Sequence, residues 1–243
     1  ITNKKKINAS TLNPLDLFEA WKKGDDKAAL EAQWNALPNY MESSKERLLP
    51  MCDVSESMFR DKAIAASISL GIYISERNEG IFKDAFLTFT SEPRLQYLKG
   101  SFTERCKQME GPIGYDTNLQ AAFEMLLNTA IRNKVSQLEM PTKLLIISDM
   151  EFNEMYIRKP DATALDMIYE KYKDAGYTVP QIIFWNVRGR QGNVPAKATM
   201  KGVGLISGYN PSILTSILSG KIITPELLML KTVYSKRYDL IKV

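Results

Sequence analysis

Residues 143–149, KLLIISD, run from a lysine through four consecutive aliphatic side chains to a serine and a carboxylate. A strand without polar alternation is covered on both faces, the condition of a parallel sheet enclosed by helices. Working outward, strand-like and helix-like segments alternate in both directions. Upstream lie RLLPMCDV (47–54), a strand; AIAASISLGIYISER (63–77), an amphipathic helix with small residues on one side; and DAFLTFT (84–90), a second strand. RLQYL (94–98) follows a Ser-Glu-Pro turn as a short edge strand, and TNLQAAFEMLLNTAIRN (117–133) is a helix opened by a capping box of Thr117 and Gln120. Downstream, ATALDMIYEKYKDAG (162–176) is a helix stopped by Gly176, and PQIIFWNV (180–187) is another buried strand. GVGLISG (202–208) reads as the last strand, before helices near 211–219 and 225–235, the second with Pro225 at its first position. The expected fold is therefore α/β: a doubly wound, Rossmann-like, mostly parallel six-stranded sheet with helices on both faces.

Residues 14–36 read as two short helices broken at Gly24, with Pro14 at a helix start and Leu30, Trp34 and Leu37 at helical spacing. Residues 1–40 are expected to form a helical arm packed on the main domain, or the tail of an absent upstream domain, with residues 41–243 as the α/β domain. The chain begins with Ile1 rather than Met, as a fragment or trimmed product would.

Composition narrows the chemistry. The 243 residues are 44% hydrophobic and 25% charged, ordinary for a globular protein, and no apolar run approaches the ~18 residues of a membrane span. Cys52 and Cys106 match no paired metal spacing, so a reducing, cytoplasmic compartment is expected. There is no histidine, which excludes a serine–histidine triad, His-ligated zinc and histidine acid–base catalysis within this chain. The net charge of +4 is mild, and its densest cluster, KKK at residues 4–6, sits in a polar terminus that reads as solvated.

Three boundaries of this pattern carry oxygen ligands. Asp53, Ser55 and Ser57 follow the first strand at alternate positions, Thr117 precedes a helix, and Asp149 ends KLLIISD. In a doubly wound sheet these loops open at one edge, beside the switch in strand order, where ligands bind. Carboxylate and hydroxyl oxygens without nitrogen or sulfur suit a hard cation, and magnesium takes such oxygens while keeping some water.

DVSES, Thr117 in YDTN and Asp149 in ISDMEFNE together resemble the metal-ion-dependent adhesion site of von Willebrand factor type A (vWA) domains. The resemblance implies Mg2+, with Mn2+ or Ca2+ as substitutes, held directly by Ser55, Ser57 and Thr117, with Asp53 and Asp149 acting through water. PMCDVSESM, SISLGIYISE, LTFTSEPRLQYLKG, LLIISDMEFNE, PQIIFWNVRG and GVGLISGYNPSIL resemble an uncharacterised intracellular family whose C-terminal half is such a domain. That family is similar to the Ro-type (TROVE) RNA-binding autoantigens, which join a helical-repeat ring to a vWA domain. The resemblance covers about residues 28–235. Glu56 stands where the metal loop of the family commonly has glycine, and it adds a carboxylate.

Each residue also has an ordinary explanation. Asp53 can cap a strand end, Ser55 and Ser57 can form turns, Thr117 can be a helix N-cap, and Asp149 can start a turn. Their combination, in this order at these strand ends, favours a metal site. Glu56, Asp116, Asn118, Glu151, Asn153 and Arg188 are candidates for a partner-binding rim, although solvated polar loops explain them too. Phe184 and Trp185 read as sheet core, and the methionines as gap-filling core residues. The functional expectation is a non-enzymatic module that uses a divalent cation to recognise an acidic group on a protein partner, with no membrane role. The alternatives are an RNA-associated component resembling Ro-type proteins, in contact with RNA through a larger complex, and an assembly protein whose metal only orders the loops.

Overall fold

The structure, a computed structural model, describes residues 12–42, 44–59, 62–88, 92–109, 119–150, 162–188, 203–210, 213–218 and 234. Two helices open it. Helix α1 (Pro14–Lys23) starts on an Asn13–Asp16 capping box with proline in its first turn, and Gly24, in the left-handed conformation, ends it. Helix α2 (Lys27–Asn35) is capped by the Asp26 side chain, which accepts from Ala29 N. Strand β1 (Leu48–Cys52), a short 3-10 turn (Glu56–Phe59) and helix α3 (Ala63–Arg77) follow. Next come strands β2 (Ala85–Thr88) and β3 (Leu95–Tyr97), and helices α4 (Phe102–Met109) and α5 (Leu119–Arg132). Strand β4 (Lys143–Ser148), helix α6 (Ala162–Asp174), strands β5 (Gln181–Asn186) and β6 (Val203–Ser207), and helix α7 (Leu214–Leu218) complete the described elements.

The sheet has six strands in the order β3-β2-β1-β4-β5-β6. All pairings are parallel except β2–β3, so the RLQYL segment is the short edge strand expected of it, and it runs antiparallel. Strand order reverses between β1 and β4, whose register runs from Leu48 opposite Lys143 to Cys52 opposite Ile147. Alternate side chains of these strands feed separate cores, as the period of two requires. Leu48, Cys52, Leu145, Ile147 and Trp185 join α1 to α4 and α7 on one face; Leu49, Met51, Leu144, Ile146 and Phe184 join α5 and α6 on the other. Phe184 and Trp185 are thus core residues, as their sequence context implied.

The N-terminal helices are built into the first of these cores. Trp34 is fully buried, stacks on Phe102 at 4.1 Å and donates its indole N–H to Glu76. Glu31 of α2 accepts from the backbone N–H groups of Phe102 and Thr103, capping the start of α4 from a distant part of the chain. Helix α4 was not anticipated from sequence. Thr117, the first member of the expected capping box with Gln120, and the helix near 225–235 lie outside the described residues. No described helix is long and apolar enough to cross a membrane.

Candidate metal centre

Strands β1 and β4 deliver Asp53 and Asp149 to the same edge of the sheet. The ladder continues one residue past β1, where Asp53 N donates to Ile147 O at 3.0 Å. Ser148, the last residue of β4, donates its hydroxyl to Asp53 Oδ2 at 2.6 Å, and Ser55 N donates to Asp53 Oδ1 at 2.8 Å. One buried carboxylate therefore orders both loops, accepting a hydrogen bond on each oxygen. Burial raises its pKa and the neighbouring Asp149 charge adds to that, while the bonds from Ser148 and Ser55 oppose it.

Beyond Asp53 the chain turns so that the hydroxyls of Ser55 and Ser57 meet at 3.1 Å, both half-buried, while Glu56 between them points to solvent. Two neighbouring oxygens in an octahedral magnesium shell lie roughly 3.0 Å apart, given metal–oxygen distances of about 2.1 Å. The serine hydroxyls are hydrogen-bonded to each other, and the same separation fits adjacent ligands to one small hard cation. Among the described residues no group of three or more His, Cys, Asp or Glu forms a metal cluster.

Asp149 is pinned from several sides. Val187 N donates to Ser148 O, Met150 N donates to Ser148 Oγ, and Asp149 N points at Met58 Sδ, 3.2 Å away. Met150 takes a positive φ of 64°, which turns the chain sharply after the carboxylate. Arg188, a candidate for the exposed rim, instead turns inward: its guanidinium lies 3.4 Å from Asp149 Oδ2, with both side chains buried. Thr117, Asp116, Asn118, Glu151 and Asn153 lie outside the described residues.

Ser148 and Met58 contact Asp53 and Asp149 and were not singled out from the sequence pattern. Ser148 looks like the polar end of a strand, and Met58 like core filler. The sole hint was a hydroxyl placed immediately before Asp149 at the end of an otherwise aliphatic strand.

A doubly wound α/β domain with an oxygen-lined site at its strand-order switch is the class that fold and geometry define. Within that class, the chain belongs to the family described as "Domain of unknown function (DUF7788)", which matches residues 48–237. It is 29% identical over 237 residues to an uncharacterized protein of Acanthamoeba polyphaga mimivirus, covering 93% of this chain and 40% of that protein. Among solved structures it is similar to the crystal structure of the Deinococcus radiodurans RO (RSR) protein, with a TM-score of 0.54 and 15% identity. That likeness, one of fold, covers 89% of this chain and 46% of the other. The chain thus spans less than half the length of either of these relatives.

Proposed function

We propose that this domain is a non-enzymatic binding module that holds one divalent cation, magnesium in the first instance, and through it recognises an acidic group on a protein partner. Ser55, Ser57 and Thr117 would hold the cation directly, and Asp53 and Asp149 would hold its water. The cation would supply a positive centre able to take a partner carboxylate as a further ligand. The observation that carries this reading is the 3.1 Å separation of the serine hydroxyls, held beside a buried Asp53 that already bonds both loops. The resemblance to the vWA metal site supports it, and the absence of histidine removes histidine acid–base chemistry from any hydrolytic alternative within this chain. Partner capture by the purified chain, compared in magnesium and in EDTA, tests the proposal. Capture should fail in EDTA and in a Ser55→Ala/Ser57→Ala variant while circular dichroism is unchanged. Capture that ignores both treatments would refute it.

A second reading rests on the Ro likeness: a component of a ribonucleoprotein, as Ro-type proteins are. Its support is the shared fold and the mild positive charge. RNA affinity that falls steeply with salt would favour it, and the absence of RNA binding at low salt would remove it.

A further inference from the structure

The site contains a cation of its own. Arg188 follows β5 by two residues and its main chain is fixed there, its N–H donating to Asn186 Oδ1 at 2.9 Å. Its side chain is 2% exposed and that of Asp149 is 0% exposed, so water screens little of the attraction between them. A buried guanidinium is strongly felt by any second positive charge brought to the same carboxylate.

Two roles are open to such a residue. One is to aim Asp149, so that its loss disorders the carboxylate; the other is to balance the carboxylate's charge. The contacts favour the second. At 3.4 Å the pair is long for a charge-assisted hydrogen bond, which runs closer to ~2.8 Å. The backbone around Asp149 is held without the guanidinium, by Val187 N on Ser148 O, Met150 N on Ser148 Oγ and Asp149 N against Met58 Sδ. The strands thus fix the main chain at Asp149, and the guanidinium places a buried positive charge beside its carboxylate.

We infer that Arg188 is a built-in counter-cation that competes with a divalent ion for Asp149 and so sets the affinity of the site. This rests on the reading of the site as a cation site. Asp149 faces the arginine, and Asp53, bonded by Ser148 and Ser55, stands close enough to feel the Asp149 charge. A dication entering that set must share Asp149 with a positive charge already in place, which holds its affinity below what the oxygens alone would give. Removing the arginine charge while keeping a polar side chain should therefore tighten cation binding, whereas a residue that merely aimed the carboxylate would loosen it when lost.

Calorimetric titration with Mn2+ of the wild-type chain, Arg188→Gln and Arg188→Lys separates these outcomes. The Gln variant should bind more tightly by about tenfold or more (1.4 kcal/mol). The Lys variant, which restores a positive charge beside Asp149, should bind more weakly than the Gln variant. If Arg188→Gln folds poorly, its melting should be restored by Mn2+, because the ion replaces the missing charge; a variant that stays unfolded at saturating Mn2+ overturns the inference. Unchanged or weaker binding by Arg188→Gln, with wild type binding normally, overturns it while leaving the cation site standing. If neither chain binds Mn2+, the cation site itself is lost.

Discussion

Asp53 shows how little of a site one residue's sequence context reveals. The alternate oxygens of residues 53, 55 and 57 were legible because they are local: a turn after a strand places them together whatever the rest of the chain does. The pairings of Ser148 and Arg188 were not, because their partners lie 95 and 39 positions away in the chain. Such pairings depend on strand order and register, which no window of residues contains. The same holds at the opposite end of β4, where Glu46 pairs with buried Lys143 at 2.7 Å and also accepts from Thr142. Burial alone would raise the pKa of Glu46, yet the bonds from Lys143 and Thr142 outweigh it and hold the carboxyl below its ordinary value. A depressed folded-state pKa means that this pair stabilises fully above the unfolded value and loses its contribution as pH falls through the folded one. Glu46→Gln should therefore cost about 2 kcal/mol in urea unfolding at pH 7, less than for a fully buried pair because Glu46 is a quarter exposed. The gap from wild type should close as the pH falls below the carboxylate range. A gap that stays constant with pH would show that charge is not what Glu46 supplies.

At the scale of elements, the match between pattern and structure tracks the source of each element's stability. Helix α3 runs over the residues that its sequence pattern predicts, 63–77, because its small and aliphatic residues pack along nearly its whole length. Helix α4 was missed because its eight residues, FTERCKQM, are polar on average and too short to be stable alone. Glu31 caps it and Trp34 stacks on its first residue, so its cause lies in another helix. The close approach of α3 to β1 is set by Gly71: a methyl group there would fall 2.2 Å from Cys52 Sγ and 3.2 Å from Met109 Cε. Burial pushes the Cys52 thiol well above its usual pKa, so this sulfur fills space rather than reacts. Gly71→Ala should lower stability by roughly 1–3 kcal/mol, overpacking outweighing the helix-propensity gain of about 1 kcal/mol. A thermal melt at or above the wild-type temperature would show that β1 can yield there.

For the whole molecule, the two N-terminal helices and the sheet share one apolar core, and the loops that bear the candidate site stand on the strands beneath. Trp34→Ala should remove roughly 3–5 kcal/mol, read as a lowered midpoint in denaturant, because it opens the contact joining α2, α3 and α4 at once. A loss below 1 kcal/mol would mean that the N-terminal helices are dispensable for the fold. The mostly parallel sheet and the placement of Asp53 and Asp149 at one edge were readable from alternating βα units, since parallel connections force strand ends to one edge. What a cation does there is best tested by a crystal structure grown with Mn2+ and measured for anomalous scattering. The account predicts one anomalous peak about 2.2 Å from both the Ser55 and Ser57 hydroxyls, with Asp53 still bonded to Ser148. A map without a peak between those hydroxyls at saturating Mn2+ would contradict it.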